Sequence, residues 1–342
     1  MNIKRLVKPE VRGLRAYEAK EIPCRVKLDA NESPYGFALK VPKIETNRYP
    51  DPEALKLRAA LARDMKTGTE NVLVGNGSDE LIYYLITTFG GPVLFPTPTF
   101  VMYGVIATAL GERATGVPLT DTFELDTDAM LKAIRKERPK LVFLATPNNP
   151  TGNCFETGSV LKIVEATPGI VIVDEAYAPF ATEKGMAALL PDYRNMVIMR
   201  TLSKIGLAAL RVGYMAGDEE IMAEVNKVRL PFNLNSYSQA CAVEALKDRK
   251  SMRGYIREIA SERQRLMDAM ESLEGLEPYP SEANFILFRA RAGARKIYDG
   301  LLRRGVLIRN MDALIKGCLR VTVGTNKENN AFLKALKETL KK

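Results

Sequence analysis

The stretch Ile170-Val171-Ile172-Val173-Asp174-Glu175-Ala176-Tyr177 decides the fold. Its four β-branched residues do not alternate with polar ones, which predicts a strand buried on both faces of a parallel sheet. Asp174 follows at the carboxyl end of this strand, where open α/β sheets bind ligands. A carboxylate there suits a protonated ring nitrogen, but taken alone it is more often a helix N-cap.

Five further apolar runs share this character, and amphipathic stretches lie between several of them. They are VLV (residues 72–74), VLF (93–95), LVFLA (141–145), MVIM (196–199) and VGYMA (212–216). This alternation predicts an α/β fold with a mostly parallel, doubly wound sheet.

The pattern changes after about residue 240, where a charged amphipathic stretch is followed by shorter apolar runs. Those runs are FILF (285–288), VLI (306–308) and LRVTV (319–323). We predict a large domain at residues 43–240 and a smaller α+β domain at residues 241–342. Residues 1–42 are irregular and Pro-rich, and we interpret them as an N-terminal arm and part of the small domain.

Composition narrows the class of protein. Of 342 residues, 46% are hydrophobic and 27% charged, as in ordinary globular enzymes. No run approaches the ~20 apolar residues of a membrane span, and the first residues lack the apolar core of a secretory signal. The four cysteines form no CxxC pair, which predicts reduced thiols in the cytoplasm.

The chain contains no histidine, which excludes Ser-His-Asp and Cys-His triads and argues against a zinc or iron site. We therefore expect no metal. The net charge is +9, but basic residues such as Arg303 and Arg304 are interspersed with acids. We interpret the charge as a solvated surface that suits phosphorylated ligands, and expect no nucleic-acid partner.

Three segments beside predicted strands carry candidate chemistry. Thr201-Leu202-Ser203-Lys204 places an amine after a buried strand, where desolvation favours the neutral form needed for a Schiff base; a loop lysine at the surface fits equally well. PNNPTG (147–152) is a rigid turn whose Asn could bind a ring hydroxyl, or an ordinary turn. GNGSDE (75–80) opens a helix whose N–H groups could bind phosphate, although it lacks a Walker ending.

In this order, the segments resemble the fold-type I PLP-dependent aminotransferases, and among them the histidinol-phosphate aminotransferase family. The resemblance covers nearly the whole chain. The matching motifs are LDANESPYG (28–36), RYPDP (48–52), GNGSDE, PTFVMY (98–103), PNNPTG, VDEAY (173–177), RTLSK (200–204), ANFIL (283–287) and LRVTVGT (319–325).

The resemblance implies pyridoxal 5′-phosphate as cofactor and assigns roles around its ring. Lys204 would hold it as a Schiff base and move the proton between Cα and C4′. Asp174 would pair with the pyridine nitrogen. Tyr177 and Asn149 would hydrogen-bond O3′, and Tyr103 would stack on the ring face.

The resemblance also implies a phosphate site formed by the backbone amides of Ser78 and Asp79 with Thr201, Ser203 and Arg211. One departure concerns this site. The family usually has one residue more between its lysine and arginine, and a glycine where this chain has Ala209. A tighter turn is therefore expected before the arginine.

For the substrate, the resemblance implies binding by Tyr35, Asn149, Arg309 and Arg320, because a guanidinium suits a phosphate or a carboxylate. Tyr49 would reach the cofactor phosphate in the partner subunit, which implies a homodimer.

The implied reaction is a ping-pong transamination of L-histidinol phosphate with 2-oxoglutarate in histidine biosynthesis. An aromatic amino-acid aminotransferase of the same fold is the main alternative, since two arginines accept either anion. A related threonine-phosphate decarboxylase is disfavoured, because that group normally carries a histidine in its N-terminal motif. A non-catalytic binding protein would not need Lys204, Asp174, Tyr177 and Asn149 together.

Overall fold

The computed structural model describes residues 1–14, 22–40 and 43–341. The strands in this part of the chain are β1 (Val26–Leu28), β2 (Val72–Asn76), β3 (Val93–Thr97), β4 (Ala114–Pro118), β5 (Leu141–Ala145), β6 (Ile170–Asp174), β7 (Met196–Thr201), β8 (Val212–Ala216), β9 (Leu276–Pro278), β10 (Phe285–Ala290), β11 (Val306–Asn310) and β12 (Cys318–Thr322). The α-helices are α1 (Pro9–Arg12), α2 (Leu55–Met65), α3 (Ser78–Phe89), α4 (Met102–Leu110), α5 (Thr127–Glu137), α6 (Thr157–Ala166), α7 (Glu219–Asn226), α8 (Ser236–Lys247), α9 (Arg249–Glu271), α10 (Ala294–Arg303) and α11 (Asn326–Leu340).

Seven strands form the large sheet, in the order β2-β8-β7-β6-β5-β3-β4. Strands β3 to β7 pair in parallel, and β8 runs antiparallel to both β2 and β7. The mostly parallel α/β sheet predicted from the apolar runs is confirmed. The runs did not reveal β4, because this edge strand is largely exposed and reads ATGVP.

Apolar cores cover both faces of the large sheet, as predicted from apolar runs that do not alternate with polar residues. In β6, Val171 and Val173 pack into one apolar core and Ile172 packs into another on the opposite face. All three side chains are fully buried. The carboxyl ends of β5, β6 and β7 therefore open at one edge of a sheet held rigidly from both sides.

The second sheet has the order β1-β11-β12-β10-β9. Its outer strand β1 comes from the first forty residues and pairs in parallel with β11, whereas the other pairs are antiparallel. Helices α10 and α11 pack against this sheet and each other. The arm segment thereby contributes an edge strand beside β11.

The amphipathic stretch near residues 238–273 is two helices, interrupted at Asp248, whose side chain accepts from Ser251 N–H and caps α9. Helix α8 packs on α2 and β8 of the large sheet, whereas α9 contacts β9 and α11. The domain limits stay a proposal, since α9 also contacts the turns that follow β6 and β7 of the large sheet.

Candidate active site

A cavity of about 110 Å³ lies where the carboxyl ends of β5, β6 and β7 meet the start of α3. It contains side chains from five separate segments of the chain. The predicted site residues that line it are Ser78, Asp79, Tyr103, Asn149, Asp174, Tyr177, Thr201, Ser203, Lys204 and Arg211. Because adjacent parallel strands end at the same edge, residues far apart in sequence share one cavity.

Asp174 is the buried acid of this cavity, with only 5% of its surface exposed. Its Oδ2 accepts a hydrogen bond from the Tyr103 hydroxyl at 2.6 Å, and its Oδ1 accepts one from Ala176 N–H at 3.0 Å. Burial raises the pKa of Asp174 to about 6, although both hydrogen bonds oppose the change. A cationic group in the cavity would therefore stabilise its charged form.

The stacking role predicted for Tyr103 stays a prediction, and the structure shows what surrounds this residue on the wall of the cavity. Its side chain is fully buried, its hydroxyl is bound to Asp174, and one ring face stacks on Phe143 with centroids 4.7 Å apart. The edge of Phe100 closes another side at 5.6 Å. Phe100 is half-buried and also lines the cavity, so two aromatic side chains border the space for a bound ring.

Lys204 and Tyr177 face each other across the cavity. Lys204 lies in the 3-10 turn Ser203–Ile205 after β7, and its Nζ is 5.8 Å from the Tyr177 ring centroid. The edge of Phe285 holds the Tyr177 ring, with centroids 5.0 Å apart. A reactive amine and a phenol hydroxyl are thus presented to the same small space.

An anion-binding cradle closes the other end of the cavity. Helix α3 begins at Ser78, and its N-cap Gly77 has φ +86 and no side chain to cap the first N–H groups. Thr201 Oγ1 and Ser203 Oγ lie 3.0 Å apart beside it. Free N–H groups and the helix dipole at such a start favour a phosphate.

Arg211 reaches this cradle despite the shortened spacing from Lys204. The chain passes through two 3-10 turns, which are tighter than an α-helix, and Arg211 itself takes φ 53. Its Nη1 lies 3.3 Å from Ser203 Oγ, and its Nη2 is 3.7 Å from Asp79 Oδ2. A Cβ at Gly77 would come within 2.5 Å of Nη2, so the glycine makes room for the guanidinium.

A larger cleft of about 960 Å³ adjoins the cavity and shares Phe100, Asn149, Tyr177 and Lys204 with it. Arg309 on β11 and Arg320 on β12 are cross-strand partners, and both line this cleft. Like charges directly opposite each other destabilise a sheet, so an anion bound between them would relieve the repulsion.

Arg320 also connects the cleft to the cavity. Its Nη1 donates to Asn149 Oδ1, and its Nη2 donates to the Asp29 carbonyl at 3.0 Å. The guanidinium carbon lies 5.2 Å from the Phe285 ring centroid. These contacts direct the guanidinium toward the space shared by the two volumes.

Two predicted residues lie outside both volumes. The Tyr35 hydroxyl donates to Glu258 Oε1 at 2.6 Å, and its ring stacks on Tyr255, so its substrate role stays a prediction. Tyr49 is 81% exposed and stacks on Phe232, with centroids 4.5 Å apart. Tyr49 is therefore displayed outward and does not enter the cavity of its own chain.

Sequence reasoning missed Phe100 and the buried Asn31, although both lie in motifs that it quoted. Nothing in a single sequence separates Phe100 from Tyr103 three residues later. Asn31 donates to the Tyr177 hydroxyl at 3.0 Å, a contact that spans 146 positions of the chain. Across residues 1–14, 22–40 and 43–341, no cluster of three or more acids or cysteines is arranged to hold a metal.

Comparison with known proteins gives matches over nearly the full chain. The family model for aminotransferase class I and II matches residues 17–336. Histidinol-phosphate aminotransferase 2 of Nitrosococcus oceani is 46% identical, covering 97% of this chain and 96% of the relative. Histidinol-phosphate aminotransferase of Aquifex aeolicus is 42% identical, covering 98% of each chain.

Among solved structures, histidinol-phosphate aminotransferase from Sinorhizobium meliloti in complex with pyridoxal-5′-phosphate superimposes with a TM-score of 0.88. It is 28% identical and covers 98% of this chain and 97% of its own.

Proposed function

The chain belongs to the class I and II aminotransferases, and on that premise we propose that it transfers the amino group of L-histidinol phosphate to 2-oxoglutarate, giving imidazole acetol phosphate and L-glutamate. One observation carries the proposal. One continuous space is lined by the amine of Lys204, the buried Asp174 and the arginine pair Arg309–Arg320. An amine, an acid and an anion site are the parts that this reaction needs.

The residues of the cavity fit pyridoxal 5′-phosphate. Asp174 is a buried carboxylate whose hydrogen-bond partners Tyr103 and Ala176 are both neutral, so a protonated ring nitrogen would supply the opposite charge. The cradle at the start of α3, with Arg211, suits the phosphate. When bound, the cofactor supplies an aldehyde that takes up the substrate amine and an electron-poor ring that stabilises negative charge at Cα.

The chain's own side chains divide the remaining work. Asp174 would keep the ring nitrogen protonated by its charge. Lys204 Nζ would be the base that takes the proton from the substrate Cα, since the chain has no histidine to do so. Tyr177 and Asn149 would donate hydrogen bonds to the ring hydroxyl oxygen. Tyr103 would stack on the ring, and Phe100 lines the junction with the cleft.

Substrate choice depends on the cleft. A phosphate between Arg309 and Arg320 would accept several charge-assisted hydrogen bonds. The apolar side chains of Phe100, Leu307 and Met311 line the same cleft and suit an imidazole or another aromatic ring. This apolar lining is the observation that keeps an aromatic amino-acid aminotransferase as the second candidate.

A paired kinetic assay separates the two candidates. Purified protein with pyridoxal phosphate and 2-oxoglutarate is given either histidinol phosphate or phenylalanine. We expect kcat/KM to favour histidinol phosphate by about 10³-fold or more, because a site built for a phosphate leaves polar groups unsatisfied without it. Comparable values, or a preference for phenylalanine, would assign the arginines to a carboxylate and establish the aromatic activity.

We further propose that the enzyme is a cytoplasmic homodimer and that it binds no nucleic acid. One surface exposes the side chains of Tyr49, Leu230 and Phe232. Tyr49 stacks on Phe232, and Leu230 N–H donates to the Tyr84 hydroxyl of α3. An apolar surface of this kind favours a protein interface. No helix in the described part of the chain is long and apolar enough to cross a membrane.

Subunit mixing tests the dimer. Tyr49→Ala and Lys204→Ala variants are unfolded together, refolded and assayed. If Tyr49 completes the partner's site, each hybrid has one intact site, and the mixture exceeds the activity of either variant alone. A mixture no more active than the average of its components would argue that each site uses only its own chain.

A further inference from the structure

Asn31 is a fully enclosed asparagine in a backbone conformation that most residues avoid. Its φ is 54, and only 1% of its surface is exposed. Asparagine tolerates the left-handed region better than most non-glycine residues, but a glycine would adopt it with less strain. The presence of a side chain at this position therefore points to a use for its amide.

Two residues, Thr322 on β12 and Asn284 just before β10, hold the backbone of Asn31, and Thr322 also orients its amide. Asn31 N–H donates to Thr322 Oγ1 at 2.9 Å, and the Thr322 hydroxyl lies 3.3 Å from Asn31 Oδ1. Asn284 Nδ2 donates to the Asn31 carbonyl at 3.0 Å. Because the hydroxyl proton of Thr322 is directed at Oδ1, the Nδ2 group of Asn31 faces away from β12.

On that opposite side, Asn31 Nδ2 donates to the Tyr177 hydroxyl oxygen at 3.0 Å. A phenol has one proton to donate and lone pairs to accept with. Tyr177 accepts from Asn31, so its proton is not used in this contact. Tyr177 lines both the cavity and the cleft, and that proton can be directed into the cavity.

We propose that Asn31 is a positioning residue that, by donating to the Tyr177 hydroxyl, turns the tyrosine's own proton toward the ring oxygen of the bound cofactor. This inference rests on the proposed function. It also connects the two sheets through β12. Thr322 on this strand holds Asn31, and Arg320 on the same strand donates to the carbonyl of Asp29, two residues before Asn31. The substrate-binding strand and the cofactor-binding tyrosine thus share one segment of the arm.

The pH dependence of the cofactor absorbance measures this hydrogen bond. A bond donated to the ring oxygen stabilises its negative charge, so the nitrogen that links the cofactor to the lysine holds its proton less tightly. Loss of the bond moves the midpoint of the absorbance change to higher pH. We expect Tyr177→Phe to raise the midpoint by about one pH unit, the size of one hydrogen bond to a charged group.

Two substitutions of Asn31 then give separate expectations. Asn31→Gly suits the backbone and removes only the amide, and it should raise the midpoint by about half a unit. Asn31→Asp replaces the donor by an acceptor that takes the tyrosine proton, and it should raise the midpoint by about one unit or more. Asn71→Ala is the matched control, because its amide binds the Gly217 carbonyl, away from the site, and its midpoint should stay at the wild-type value.

A double-mutant comparison identifies the path of the effect. In the Tyr177→Phe background, Asn31→Gly should leave the midpoint unchanged, because the group through which it acts is gone. A wild-type midpoint in Asn31→Gly, or an equal shift in the Tyr177→Phe background, would refute the inference while leaving the aminotransferase intact. If the midpoint does not shift in Tyr177→Phe itself, the premise of the inference fails. A wild-type protein that never forms the cofactor absorbance overturns the proposed function instead.

Discussion

The cavity at the ends of β5, β6 and β7 and the cleft beside β11 and β12 adjoin each other, yet they are built in different ways. In the cavity, Asp174 is the last residue of the buried strand β6, and Lys204 follows β7 by three residues. The cleft depends on cross-strand pairing of Arg309 with Arg320 and on an arm strand from the start of the chain.

This difference separates reactivity from selectivity. The cavity is rigid because both faces of its sheet are packed, so a group there holds its position and its electrostatics. The cleft is wider, and its Arg309 is exposed and screened by solvent, whereas its Arg320 is buried. We therefore expect changes in the cavity to reduce kcat and changes in the cleft to raise KM.

The largest expected effect is that of Lys204→Ala. Removing the amine that the two volumes share should reduce kcat by about 10⁴-fold or more, because it deletes both the covalent anchor and the base. Steady-state kinetics and the visible absorbance that borohydride abolishes provide the measurement. The exposed Lys227→Ala is the control. A colourless wild-type protein that binds RNA in a salt-dependent way would instead favour a non-catalytic role.

Asp174→Ala should follow, with kcat lower by about 10³-fold and the dissociation constant of the cofactor raised only about tenfold. The reason is that this buried carboxylate acts on the ring during the reaction more than it holds the ring in place. Cofactor titration and kinetics on one preparation compare the two effects. The exposed Asp192→Ala should match wild type. Near-normal turnover of Asp174→Ala would contradict the assigned role.

The cofactor-free protein should become less stable as pH rises from about 4 to 6. Burial raises the pKa of Asp174 from 3.8 to about 6, so in this range the folded state binds more protons than the unfolded state, and the free energy of unfolding falls with pH. The loss should be roughly 2–3 kcal/mol. Urea unfolding of wild type and Asp174→Asn checks it, because the amide should remove the loss. A parallel pH dependence in both proteins would assign it to other groups.

The segments that line the cavity could be identified from the sequence because their patterns are local. An unalternating strand and the polar residue after it predict both the element and the edge at which the residue lies. The surroundings of Tyr103 could not be predicted in this way, since the packing of its ring on Phe143 and its bond to Asp174 are tertiary contacts. Neither contact leaves a trace in the spacing of residues 98–103.

The cleft and the arm could be anticipated only by resemblance. Strand β1 has three residues and pairs with a strand 280 positions later, so no local period marks it. The contact between Asn31 and Tyr177 depends on the same pairing, since Thr322 and Asn284 hold the arm in place. Strand β4 was missed for a different reason, because an exposed edge strand does not need an apolar sequence.

The smallest of these effects should come from Arg309→Ala, and it tests the contrast most directly. Arg309 is exposed, so its attraction to a phosphate is partly screened, and its loss should raise KM for histidinol phosphate about tenfold with kcat little changed. Arg303→Ala, on exposed α10 surface, removes the same charge without facing the cleft and should leave both constants unchanged. A fall in kcat that matches the fall in kcat/KM would mean that Arg309 acts in the transition state. The cleft would then take part in the chemistry, and the separation of reactivity from selectivity would fail at this strand pair.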